Sequence, residues 1–179
     1  MIGVDTFKCI ETKLDIREFS ERTVPDELRI DVLEAARLTG SAMNRQEWHF
    51  ILITTKTGLA SLAESCPQGP WVAGADFAVI VLTSPRLAIH MLDAGRVLQD
   101  MQLAAWNSGV GSCLTTAFSE EGMRIEFNIP REFSVSAVVG FGYPARTLLG
   151  KKSRKPLSEL VSHERYGSPL PLPGSRRTR

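Results

Sequence analysis

The sequence predicts a domain of helices interspersed with strands, α/β or α+β in class, built on a sheet of about four or five strands. Three observations point there. Residues 48–55 (WHFILITT) and 76–83 (DFAVIVLT) are dense in aromatic and β-branched side chains and have strand length. Residues 90–107 (HMLDAGRVLQDMQLAAWN) have helical length and carry apolar residues over more than one face. The 179 residues are 43% hydrophobic, enough for one globular domain with a radius of gyration of about 16 Å that needs neither disulfide nor metal to fold.

The elements follow in chain order. After Val24, Pro25 with Asp26 and Glu27 makes a helix start, because the first turn tolerates proline and favours negative charge. Leu28, Val32 and Ala35 or Ala36 continue at helical spacing to about Leu38, and Gly40 stops the helix. Both apolar runs are expected to be buried strands, with a short helix over 56–65 between them. The long helix is expected to be surrounded by protein, in a core or across a subunit interface, and to end at Gly109 and Gly111. Residues 112–118 (SCLTTAF) predict a strand, Ser119 the N-cap of another helix, and 134–143 (SVSAVVGFGY) a further strand closed by Pro144. A last short helix is expected after Pro156. Residues 1–167 form a single domain in this reading, and 168–179, with three prolines and three arginines, an extended or disordered tail.

Charge excludes some functions. Twenty-one Lys plus Arg against 20 Asp plus Glu leave a net charge of +1, without the basic field of a dedicated nucleic-acid binder. The balance is uneven: residues 144–179 hold nine basic against two acidic side chains, and residues 1–143 twelve against eighteen. Cys9, Cys66 and Cys113 are odd in number and lack a CxxC pair, which argues against a disulfide framework or zinc site. The longest apolar run is too short to cross a bilayer and no signal-peptide core opens the chain, so a soluble cytoplasmic protein is expected. GVGS at Gly109 and GFGYP at Gly140 never complete GxGxxG; no P-loop and no GxSxG is present. Cys113, inside a predicted strand, behaves as a small hydrophobe. His90 and Asp93 have a metal-compatible spacing but no third ligand, and read as a helix-surface pair. An enzyme with this sequence takes its chemistry from a cofactor.

Four features remain. Lys13 and Arg17 flank Leu14, Asp15 and Ile16 before Phe19. Ser41-Ala-Met-Asn44-Arg-Gln46-Glu47-Trp48 follows the first predicted helix. Asp93, Gly95, Gln99 and Asp100 lie on the long helix. Gly142-Tyr143-Pro144 precedes Lys151, Lys152, Arg154 and Lys155. Taken singly they read as a solvated face, a polar loop and a solubilising cluster. In this order they resemble the nitroreductase family of FMN-dependent oxidoreductases over roughly residues 7–162. The family's Arg-Arg-Ser-x-Arg-x-Phe stands here as 13–19, and its Ser-x-x-Asn-x-Gln-Pro-Trp as 41–48.

The resemblance implies a three-layer α/β/α member of the α+β class with a mostly antiparallel central sheet, assembled as an intertwined homodimer with two FMN at the interface. It implies a phosphate site at Lys13, Leu14, Asp15 and Arg17, closed by Lys152 and Arg154. It gives Ser41, Asn44 and Gln46 to the neighbouring subunit's flavin, and sets the backbone near Thr115 and Thr116 against the flavin's reactive edge. The chemistry agrees: a dianionic phosphate wants several cations, and the flavin's pyrimidine edge wants amides that both donate and accept. The implied activity passes hydride from NADH or NADPH through flavin N5 to an electron-poor small molecule such as a nitroaromatic, quinone or enone, with no catalytic side chain of its own. Rivals are a dedicated reductase (dehalogenating or deazaflavin-dependent), a flavin sensor without turnover, and an anion-binding module. Three departures stand out: Leu14 replaces an arginine, Asp15 a small hydroxyl residue, and Glu47 a proline.

Overall fold

The computed structural model describes residues 6–86, 88–146 and 152–171. The chain divides into two units, Met1–Leu149 and Gly150–Arg179.

The first unit is built on β2 (Phe77–Thr83), whose seven residues are all buried. A strand buried on both faces has no need of alternation, which is why its sequence is apolar without a break from Phe77 to Leu82. β1 (Trp48–Ile53) and β4 (Ser134–Gly142) flank it, and β3 (Gly111–Thr115) closes the order β1-β2-β4-β3, every pair antiparallel. A bulge between Val81 and Leu82 shifts the β2–β4 register by one residue at Ser136.

Helices cover both faces. On one, α2 (Asp26–Leu38) and α4 (His90–Asn107) pack over Phe77, Val79, Val81, Ala137, Val139 and Phe141. Phe77 and Phe141 stack with centroids 4.7 Å apart, and each fully buried aromatic contributes on the order of 2–3 kcal/mol. Asp76, at the start of β2, pairs at 2.8 Å with Arg29 of α2, fixing the helix over the sheet. On the other face α3 (Lys56–Glu64), a 3-10 turn at Pro70–Gly74 and α5 (Glu120–Glu126) pack on Ala78, Ile80, Leu82, Val135 and Val138. The three layers are those the family resemblance implies.

Local chemistry sets the boundaries. Thr55 Oγ1 caps α3 by accepting from Gly58 N–H at 3.1 Å, and Ser119 Oγ caps α5 through Gly122 N–H at 3.2 Å, as its sequence predicts. Gly109, at φ +76°, ends α4. In the second unit the short α6 (Leu157–Leu160) follows Pro156 as expected.

Several expectations are corrected. β1 is an edge strand with His49 and Leu52 exposed, not a buried one, because β2 pairs with it on one side only. β3 stops at Thr115: Thr115 Oγ1 accepts from Ala117 N–H at 3.2 Å and turns the chain away from the sheet. α1 (Thr6–Thr12), unpredicted, docks on α4 through the Trp106 Nε1–H donated to Thr12 Oγ1 at 3.0 Å. The expectation for α4 is not among these corrections: its stripe Ala94, Val97, Leu98, Met101 and Ala105 is in the core, and Met91 and Leu92 are exposed on the single chain. The tail residues 172–179 lie outside the described residues.

Candidate functional site

Residues 13–20 form an extended segment laid along the end of the sheet. Ile16 N–H donates to Ser112 O at 2.9 Å within a parallel bridge between Asp15 and Ser112. Ser20 N–H donates to Tyr143 O at 2.8 Å, and Ala145 N–H to Glu18 O at 3.0 Å, around the bridge between Phe19 and Pro144. This docking explains the glycine pairs that failed as a dinucleotide fingerprint. A Cβ on Gly111 would stand 2.5 Å from Ile16 Cγ1, and one on Gly142 would stand 2.9 Å from the Phe19 ring. The Ile16 and Phe19 side chains press directly on the glycine backbone there, so glycine is required for packing rather than for a pyrophosphate.

With Ile16 turned in, alternation along extended backbone turns Asp15 and Arg17 out on the same side. Lys13 Nζ sits 2.5 Å from Asp15 Oδ1; the lysine side chain is only 12% exposed, the carboxylate 58%. Leu14 is half-buried beside them. The Cys113 thiol of β3 donates to Leu114 O at 3.6 Å, and the charges of Arg17, Asp15 and Lys13 all act on it. Burial nevertheless dominates and pushes that thiol up, with Arg17 the chief opposing influence. Cys66, with burial alone acting, is pushed up to about 11. Both are therefore protonated and inert near neutral pH, the role expected of Cys113. Asp15–Glu18 and Pro144–Arg146 line a concavity of about 270 Å³, with Arg146 paired to Glu18 at 3.3 Å. Thr115 lies on the same face of β3 as Cys113, its methyl against Gly69 and its hydroxyl committed to Ala117; Thr116 is exposed beyond it.

The amide loop is held elsewhere, by α4. Asp100 Oδ2 accepts from Thr39 Oγ1 at 2.7 Å, Arg96 lies against Gly40, and buried Asp93 Oδ2 accepts from Ala42 N–H at 3.1 Å. Beyond this anchor Met43, Asn44 and Gln46 adopt φ of 52°, 54° and 53°. Left-handed backbone outside glycine costs on the order of 1 kcal/mol per residue and persists only where its surroundings enforce it. Ser41 Oγ accepts from Gln46 N–H at 2.9 Å, and Gln46 Nε2 donates to Asn44 Oδ1 at 3.2 Å, so the predicted Ser41, Asn44 and Gln46 form one hydrogen-bonded unit.

The two sets do not meet within one chain. Ala42 is bound at Asp93 and Thr12 at Trp106, thirteen residues apart on α4, which is about 20 Å along a helix. Residues 13–17 lie against β3 at one edge of the sheet, whereas the loop leads into β1, the strand at the opposite edge. Lys152 and Arg154 belong to the second unit, where Arg154 donates to Ser153 O at 2.7 Å and Lys152 is half-buried.

His90 and Asp93 are not the surface pair expected. His90 Nδ1 lies 2.8 Å from Thr83 Oγ1, itself 2.7 Å from Ser136 Oγ, while Asp93 serves the loop and its Oδ1 faces Arg96 at 3.5 Å. The anchoring role of Asp93 is legible only in three dimensions. Among the described residues no cluster of His, Cys, Asp or Glu could hold a metal ion, and no helix is long and apolar enough to cross a membrane.

Fold and site together define an α+β domain with a basic edge at one corner of its sheet and a strained amide loop at the other. The nitroreductase family model matches residues 10–88 and 68–143, and the chain belongs to the nitroreductase family. A relative from Methanothermobacter thermautotrophicus, provisionally named NADH dehydrogenase/NAD(P)H nitroreductase, is 32% identical over 79% of this chain and 78% of its own. A similarly named protein from Bacteroides thetaiotaomicron, solved as a crystal structure, superposes with a TM-score of 0.83 at 24% identity over 92% of this chain and 99% of that one. An FMN-dependent nitroreductase from Clostridium difficile superposes with a TM-score of 0.81 at 21% identity, over 93% and 100%.

Proposed function

We propose that the protein is an FMN-dependent oxidoreductase that carries hydride from NADH or NADPH to an electron-poor small molecule, working as a homodimer. The observation that carries this reading is the placement of Arg17 in the lining of the concavity between the N-terminal segment and Pro144–Arg146, with Lys13 paired to Asp15 of the same lining. The donor set suits FMN: cations for a dianionic phosphate, and amides for a pyrimidine edge. The name of the 32%-identical relative supports a nicotinamide donor.

A bound flavin supplies two-electron transfer through its N5. The chain's own residues bind and orient. Lys13 and Arg17 neutralise phosphate charge at the edge of β3. The backbone at Thr115 and Thr116 walls the ring. Asn44 and Gln46 present amide groups from a loop with left-handed backbone at Met43, Asn44 and Gln46. Since that loop and Lys13 occupy far corners of one chain, one flavin meets both only if the loop comes from a second copy. Exposed Met91 and Leu92, beside the loop's anchor on α4, supply apolar surface for that contact.

The test is flavin uptake followed by turnover. Purified protein is expected to be yellow or to become so on adding FMN, and then to oxidise NADH or NADPH with a quinone acceptor. Failure to take up FMN sinks the reading; uptake with no turnover on either donor would instead favour a flavin sensor.

A further inference from the structure

We propose that Asp15 is a built-in competitor for the ligand's phosphate, setting how strongly the site prefers a phosphorylated flavin over an unphosphorylated one. This rests on the flavin reading above. Three observations carry it. The Asp15 carboxylate already occupies Lys13 at 2.5 Å, and the lysine side chain, only 12% exposed, has little room to turn elsewhere. Asp15 cannot move away with its backbone, because the Ile16 N–H bond to Ser112 and the close fit of Ile16 on Gly111 pin the segment to β3. Asp15 and Arg17 flank buried Ile16 on the same side of that segment and both line the concavity against Pro144–Arg146, so an anion drawn between Lys13 and Arg17 meets the carboxylate.

An incoming phosphate has one low-energy course. The Asp15 side chain, more than half exposed, swings into solvent and yields Lys13 to the ligand. The affinity for a phosphorylated ligand is then reduced by the lost ion pair and by like-charge repulsion, both absent for a neutral ligand of the same ring. The site thus discriminates less between the two than one with a neutral residue at position 15.

The experiment titrates flavin-stripped protein with FMN and, in parallel, with riboflavin, following flavin fluorescence, for the wild type, Asp15→Ser and Asp15→Asn. Both substitutions are expected to tighten FMN about tenfold and to leave riboflavin unchanged. In a Lys13→Met background the gain from Asp15→Ser is expected to shrink. Equal FMN affinity in all three proteins overturns the proposal while leaving the flavin reading intact. A parallel shift for FMN and riboflavin overturns it as well, since that marks a change in packing, and so does weaker FMN binding in the variants. If neither flavin binds any of the proteins, the flavin reading falls and this proposal with it.

Discussion

An alanine at Gly111 would put its Cβ 2.5 Å from Ile16 Cγ1 and 2.9 Å from Ile16 Cβ, distances that real side chains do not tolerate. Neither partner can give way easily. Ile16 is buried, and its N–H is bonded to Ser112, the next residue of β3. Gly111→Ala is therefore expected to destabilise the protein by about 1–3 kcal/mol and to lift residues 13–17 from the edge, weakening FMN binding. Denaturant titration and flavin titration on the same variant check both effects. A second substitution, Ile16→Ala, should recover part of the lost stability by removing the clashing atoms. The sequence shows two glycine pairs at the ends of strands but not what lies on them. That depends on a contact made nearly a hundred residues away, which no local pattern encodes.

At the scale of elements, α4 organises both ends of the site. Its N-terminal half holds Thr39, Gly40 and Ala42, and its C-terminal half receives α1 through Trp106 and Thr12. The buried Asp93 carboxylate is the last anchor before three left-handed residues, so it bears the strain of the loop. Asp93→Ala leaves the Ala42 N–H without its acceptor and is expected to cost about 1–3 kcal/mol, with faster hydrogen exchange across residues 42–46. Asp93→Asn keeps an acceptor oxygen and should restore most of the protection. Elements with strong local signals were legible in sequence: α2 with its acidic first turn, β2 with its apolar run from Phe77 to Leu82, the short α3, α5 with its Ser119 cap, and the full span of α4. Those decided by neighbours were not. β1 reads as apolar as β2 yet lies at an edge, and β3 is cut short by a hydroxyl turn. α1 docks on α4 through Thr12 and Trp106, a contact that its short sequence, TFKCIET, does not advertise.

For the whole molecule, the residues of the site could be picked out in sequence only as a set, through their order along the chain. Nothing in Lys13, Arg17, Asn44 or Gln46 alone separates a site from a solvated surface, and their division between two corners of the sheet emerges only from the strand order and the length of α4. That division has a consequence that separates a shared site from two unrelated ones. If each flavin is held by Lys13 and Arg17 of one copy and by Asn44 and Gln46 of the other, a variant lacking either set disables both sites of its own dimer. Arg17→Ala with Lys13→Met, and Asn44→Ala with Gln46→Ala, should each bind FMN poorly as homodimers. Mixed by co-expression, half the dimers are heterodimers, and in each of those one site draws two intact halves while the other draws two damaged ones. About a quarter of all sites are then restored, measured as bound flavin per chain and as NAD(P)H oxidation relative to wild type. A site contained within one chain would show no such recovery, because every chain in the mixture carries one damaged half.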